Sequence, residues 1–232
     1  DGAVGRLMPL GCTGWLIANG NFLTAGHCCD NLATINIIEF NVPASNSNGS
    51  TVAANPDDQY PVNDASINNQ NAGVGNDWCV FAVGVNSNTG KTPVEKNGAI
   101  GVLDFSFFRV THDNIPATTR ITGYGTDQVP PGSGGGYNSS SQTEQTHSGP
   151  FVAETTTNAN QVALGYTVDT EGGNSGSPVF FDGTRNAVGI HTHGGCNTSG
   201  TPGNNSGTSF EADDTENAIV NSTTAINKYV DE

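Results

Sequence analysis

A serine crowded by glycines, a histidine behind an apolar run and an aspartate at the head of another are the residues whose types and settings could do chemistry. The serine is Ser175, in Gly172-Gly173-Asn174-Ser175-Gly176-Ser177-Pro178. Glycine lets the backbone bend until consecutive N–H groups aim at one spot. A nucleophilic serine needs such a spot, because its attack turns a carbonyl oxygen into an oxyanion. The amides of Gly173 and Ser175 are placed to be the donors. The hydroxyl is a weak nucleophile until a base takes its proton, and histidine is the usual base near neutral pH. Of the histidines His27, His112, His147, His191 and His193, His27 stands apart: in Leu23-Thr24-Ala25-Gly26-His27-Cys28 it follows an apolar strand and small residues, with a cysteine beside it. Asp77 opens the apolar run Trp78-Cys79-Val80-Phe81-Ala82-Val83. A carboxylate carried into such surroundings needs a partner. An imidazole N–H serves, and the pairing fixes the tautomer that leaves the other ring nitrogen free as base. Asp57, Asp58 and Asp64 are rival acids, but none precedes a buried-looking strand.

Positioning these residues falls to short strands. The chain has 232 residues, 34% of them hydrophobic, with 31 glycines and abundant Asn, Ser and Thr. That favours many strands joined by turns over long helices. Strand-length apolar runs bounded by Gly, Asn, Pro or Ser occur at 14–18, 21–25, 33–40, 78–85, 98–108, 120–125, 161–168, 178–181, 187–191 and 207–210. The polar, turn-rich segments 43–76 and 128–149 read as long surface loops. One helix is expected over 215–229, where Ala218, Ile219, Ala225, Ile226 and Tyr229 fall at helical spacing.

The net charge of −15 repels nucleic-acid phosphates and anionic membranes, so neither is expected as a partner. No run of about 18 apolar residues could span a bilayer, and Asp1 opens a polar stretch without the apolar region of a signal peptide. The five cysteines, Cys12, Cys28, Cys29, Cys79 and Cys196, form no CxxC pair, so disulfides in an oxidising compartment fit better than a zinc site. The expectation is the mature form of a secreted monomer, with no metal and no cofactor.

The three motifs run His, Asp, Ser along the chain, the order of chymotrypsin and not of subtilisin or the α/β-hydrolases. An esterase with a nucleophile elbow is not indicated either, because the segment after residues 173–177 is strand-like rather than helical. At this point the chain resembles the chymotrypsin-like serine peptidases. Cys12-Thr13-Gly14-Trp15-Leu16-Ile17 with Thr24-Ala25-Gly26-His27-Cys28 is similar to the family's cysteine-bracketed histidine loop. Asp77-Trp78-Cys79-Val80-Phe81 resembles its aspartate strand, Ile121-Thr122-Gly123-Tyr124-Gly125 the strand opening its second barrel, and Val188-Gly189-Ile190 the strand that binds substrate backbone. Gly-Gly-Asn-Ser-Gly-Ser-Pro at 172–178 and Gly189-Ile190-His191 are similar to the bacterial glutamyl endopeptidases of the V8 type.

The resemblance implies an all-β fold: two six-stranded antiparallel β-barrels and a C-terminal helix. It places His27 and Asp77 in an N-terminal barrel, residues 1–112, and Ser175 in a C-terminal barrel, residues 113–232, within one peptidase domain. It implies a serine endopeptidase acting on proteins or peptides through an acyl-enzyme; a catalytically inactive binding protein on the same fold is the alternative class. It implies a Cys12–Cys28 disulfide closing the histidine loop. Because the fold brings His27 and Asp77 together, a Cys29–Cys79 disulfide is expected too, leaving Cys196 unpaired. Asn174 stands where the animal digestive enzymes carry the aspartate that pairs with a new N-terminus, so activation by another route is expected.

The substrate pocket falls to Asp169, Thr170, His191, Thr192, His193 and Gly194. Three specificities stay open: for glutamate, for Arg or Lys, and for a neutral residue, the first two with named residues. By the V8-type match, Thr170 and His191 recognise a glutamate side chain, most strongly with a protonated imidazole. Asp169, six residues before Ser175, stands where trypsin-like enzymes keep the acid that binds Arg or Lys.

Overall fold

The computed structural model describes residues 2–17, 19–31, 35–97, 117–129, 136–183, 187–195 and 204–226. Its first half holds seven strands: β1 (Val4–Pro9), β2 (Cys12–Leu16), β3 (Phe22–Thr24), β4 (Ile35–Glu39), β5 (Gln59–Pro61), β6 (Asn68–Asn71) and β7 (Asp77–Phe81). The four-residue helix α1 (Gly26–Cys29) follows β3. The strands form one antiparallel sheet in the order β5-β4-β1-β2-β3-β7-β6. The sheet curls until the chain beyond β5 meets the chain beyond β7, at the Val62–Val83 bridge. Asn63 N–H donates to Ala82 O there at 3.0 Å, and Gly84 N–H to Pro61 O at 2.8 Å. The expected six-stranded barrel is thus a ring closed by one bridge, with β6 as an extra strand on the flank of β7.

A short helix α2 (Pro93–Asn97) ends this half. The second half has β8 (Thr118–Gly123), a small hairpin of β9 (Gln128–Val129) and β10 (Gly136–Tyr137), β11 (Gln145–Asn158), β12 (Gln161–Tyr166), β13 (Pro178–Phe181), β14 (Ala187–His193) and β15 (Asn205–Ser209). Six of them close fully, in the order β11-β12-β15-β14-β13-β8. The helix α3 (Asp213–Ile226) comes last; Asp213, Asp214 and Glu216 in its first turn suit the positive end of the helix dipole. It begins two residues ahead of the expected 215, and residues 227–229 lie outside the described residues. So do the strand expected at 98–108, the expected 112/113 boundary, and Cys196.

Two strands depart from the sequence expectation. β1 hides behind Arg6, a charge at a fully buried position. Its guanidinium donates to Glu39 Oε2 at 2.7 Å, Gln142 O at 2.9 Å and Val52 O at 2.8 Å, which satisfies the buried cation. β11 spans 14 residues with little burial on either face, so it shows no apolar alternation. Backbone pairing with β8 along its first part and β12 along its second holds it in place. The segments expected as loops are partly ordered too: 43–76 contains β5 and β6, and 128–149 contains β9, β10 and the start of β11.

One core runs through both halves. Phe22 stacks on Phe81 at 5.4 Å, and Phe40 and Tyr60 extend the cluster. Tyr124, Phe180, Ile190, Phe210 and Ala218 join it from the second half. A large apolar side chain withdrawn from water contributes about 1.5–3 kcal/mol, so this shared core is what presses the two halves together. A smaller cluster of Ile121, Leu164, Tyr166, Val168, Val179 and Val188 fills the second barrel.

Candidate active site

His27 stands on α1, and the neighbouring strands put Asp77 beneath it. β3 pairs with β7 so that Thr24 faces Cys79. The turn between β3 and α1 is tight: a Cβ on Gly26 would lie 1.9 Å from Gln70 O, so only glycine fits before the histidine. His27 N–H donates to Asp77 Oδ1 at 2.9 Å, and His27 Nδ1 lies 2.7 Å from Asp77 Oδ2. The Asp77 side chain is fully buried while a third of His27 is exposed. The hydrogen bond to Asp77 raises the His27 pKa above its ordinary 6.5, and burial opposes it only in part. Thr208 on β15 locks the acid from the other half: its hydroxyl accepts from Asp77 N–H at 3.0 Å and donates to Asp77 O at 2.9 Å.

Two disulfides meet at this helix. Cys12 bonds Cys28, and Cys29 bonds Cys79. Donor atoms of Cys12, His27 and Cys28 lie within 4.8 Å of one another, but both sulfurs are spent in the disulfide, so the trio is no metal site.

Ser175 lies in the turn between β12 and β13. Gly173 has φ +100°, a conformation side chains resist, and its carbonyl accepts from Thr13 Oγ1 at 2.9 Å. Thr13 N–H donates to Ser175 O at 2.9 Å, and Thr13 Oγ1 accepts from Tyr124 N–H at 2.9 Å. Thr24, three residues before His27, donates to Thr13 O at 2.7 Å. One threonine of the first half therefore grips the serine turn of the second and is itself tied to the histidine loop. Gln142 adds a further hold, donating to Gly11 O at 3.0 Å and Tyr124 O at 2.6 Å. Asn174 turns inward on the loop, donating to Glu171 O at 3.3 Å. The Gly173 and Ser175 N–H groups make no hydrogen bond with the described residues, and neither does Ser175 Oγ.

The pocket residues are spread unevenly. His191 is buried on β14, and its Nδ1 lies 2.6 Å from the Tyr166 hydroxyl. Burial, with His193 and His27 nearby, pushes its pKa down to about 3. The imidazole is therefore neutral, which is not the state in which it would bind a carboxylate most strongly. The Thr170 hydroxyl oxygen is occluded and has no hydrogen-bond partner. Asp169 is exposed, its N–H donating to His147 Nδ1 at 2.9 Å. Thr192 is buried and donates to Ser206 O at 3.3 Å. His193 Nδ1 lies 2.8 Å from Thr192 Oγ1 and 4.0 Å from Asp77 Oδ2. Gly194 has open space where a side chain would be. Sequence reasoning missed Thr13, Thr24, Thr208, Gln142 and Tyr166, whose roles depend on partners distant along the chain.

Comparisons with known proteins bear on the family and the fold. A family model described as Trypsin matches residues 5–209. A glutamyl endopeptidase of Bacillus licheniformis is 26% identical over 192 residues, which are 79% of this chain. The match spans 51% of that relative, so the chain covers about half its length. The structure of a Glu endopeptidase in complex with MPD superposes with a TM-score of 0.63 at 20% identity, covering 96% of this chain and 91% of that one. A thermostable serine protease from an extremophilic microorganism gives 0.63 at 14% identity, covering 96% and 97%. A buried histidine–aspartate pair, a glycine-framed serine turn tied to the histidine loop through Thr13 and Thr24, and a family match across most of the sequence lead to one conclusion: the chain belongs to the trypsin family.

Proposed function

We propose that this chain is a secreted serine endopeptidase that cuts after glutamate. His27 accepts the proton of Ser175 Oγ as that oxygen attacks the scissile carbonyl. Asp77 holds the His27 ring and stabilises the imidazolium. The Gly173 and Ser175 N–H groups, spent on no other described residue, receive the developing oxyanion. His27 then hands the proton to the leaving amine, and water releases the acyl group by the same steps in reverse. The observation that carries this reading is the His27–Asp77 pair, 2.7 Å long and buried on the acid side. The absent Ser175–His27 hydrogen bond is compatible with it, since such bonds often tighten only when substrate arrives.

Preference for glutamate rests on two polar groups that lack protein partners: the occluded Thr170 hydroxyl, and the His191 ring nitrogen facing away from Tyr166. The Thr170 hydroxyl is a buried donor left open, which needs a matching acceptor, and a carboxylate supplies two oxygens. Trypsin-like specificity through Asp169 is the weaker reading, because that carboxylate is exposed. The relative from Bacillus licheniformis, called a glutamyl endopeptidase, points the same way. The two disulfides favour work outside the cell. Among the described residues no helix is long and apolar enough to cross a membrane. The peptidase is one domain of two halves, 1–112 and 113–232, with substrate lying between them.

The test is a peptide library together with a serine-directed fluorophosphonate. A single adduct on Ser175 and cleavage on the carboxyl side of Glu are expected. An unlabelled, inactive chain would overturn the enzyme reading. Cleavage after Arg or Lys would overturn the glutamate reading alone.

A further inference from the structure

The structure assigns Tyr166 a role in specificity: its hydroxyl fixes His191 as the tautomer whose proton is on Nε2, so that this nitrogen offers a neutral N–H to the substrate's carboxylate. The assignment rests on the glutamate reading proposed for this site.

Hydrogen-bond accounting decides the tautomer. Tyr166 and His191 are both buried, on β12 and β14, and are linked at 2.6 Å through Nδ1. Either atom could donate. If Nδ1 carried the proton, the tyrosine oxygen would accept it, and its own O–H would then need another acceptor. None exists among the described residues: the Tyr166 hydroxyl makes no other hydrogen bond with them. A buried hydroxyl proton without an acceptor is costly, and native interiors avoid it. The arrangement that leaves nothing unpaired has Tyr166 donating and Nδ1 accepting. A neutral imidazole accepting at Nδ1 must carry its proton on Nε2. Burial keeps both partners in the required state, raising the tyrosine pKa and lowering that of the histidine.

Nε2–H then makes no hydrogen bond among the described residues. The backbone holds the ring in place from the catalytic side: Gly176 N–H donates to His191 O and His191 N–H to Ser177 O, each at 2.8 Å. The donor is thus anchored beside Ser175 and cannot rotate without breaking the Tyr166 bond. Gly207, facing His191 across the sheet, leaves the tyrosine room: a Cβ there would lie 3.1 Å from the Tyr166 hydroxyl. A fixed neutral donor discriminates glutamate from glutamine by acceptor strength, because a carboxylate is the stronger acceptor.

The test combines imidazole ¹⁵N spectra with paired peptides that differ only in Glu or Gln before the scissile bond. In the wild type, the His191 Nδ1 should give an acceptor-type shift and Nε2 a protonated one. In Tyr166→Phe, the His191 signals should move towards a tautomer mixture. The Glu/Gln ratio of kcat/KM should fall about tenfold, the scale of one hydrogen bond. A wild-type spectrum with the proton on Nδ1 overturns the assignment, whether or not the variant folds. A glutamate-preferring wild type whose ratio survives Tyr166→Phe overturns it as well. A wild type indifferent to Glu overturns the substrate reading instead.

Discussion

The two sides of the candidate active site are built to different standards. On the base side, His27 and Asp77 are joined by two hydrogen bonds, roofed by a disulfide on each flank of α1 and packed against the larger core. On the nucleophile side, Ser175 lies in a glycine turn with a free hydroxyl, next to a barrel with a small core of its own. The difference teaches where preorganisation is concentrated. The proposed base and acid, His27 and Asp77, are already set against each other. The serine turn has no covalent tie and is held by borrowed contacts, chiefly from Thr13.

Removing the nucleophile is the harshest way to break this comparison. Ser175→Ala should lower turnover by on the order of 10⁶, with the melting temperature nearly unchanged because the hydroxyl makes no hydrogen bond with the described residues. A steady-state assay beside a thermal melt checks both; a large drop in stability would mean that the serine turn is more tightly built than described. On the other side, replacing Cys29 and Cys79 together with serine should cost about 2–4 kcal/mol in denaturant unfolding. Some activity should survive, since the hydrogen bonds between His27 and Asp77 remain.

Thr13→Val sharpens the comparison more gently. It deletes the hydroxyl bonds to Gly173 O and Tyr124 N while keeping the shape of the side chain. We expect kcat to fall about tenfold with KM little changed, and Thr13→Ser to retain wild-type kcat. An equal rise in KM would instead place Thr13 in substrate binding. The smallest effect is on the pH profile. His27 must be neutral to accept a proton, and Asp77 raises its pKa. Activity should therefore fall away on the acid side with a midpoint above 6.5, and Asp77→Asn should move that midpoint down.

Much of this centre is legible in the residues. Glycines around Ser175, small residues before His27 and an apolar run after Asp77 are local signals, each readable without knowing the fold. The missing parts are those whose cause is distant. β1 is masked because Arg6 reads as a surface residue until Glu39 and Gln142 are known to meet it. β11 carries no apolar rhythm because its neighbours, not a core, hold it. The residue type alone makes His191 a better carboxylate ligand with a proton; only the burial that comes with tertiary packing makes it neutral. Thr13 looks like any strand threonine until the turn 160 residues later is laid against it.

The neighbouring cysteines have one more consequence. Cys28 reaches back to Cys12 and Cys29 reaches forward to Cys79, so the chain from 12 to 79 is two covalent rings joined by the single peptide bond between Cys28 and Cys29. The exposed, turn-rich stretch 43–76 lies wholly inside the larger ring. A proteolytic nick there opens a ring without releasing a fragment. The severed ends stay joined through sulfur at the foot of the histidine helix, so a nicked molecule still migrates as one chain until it is reduced.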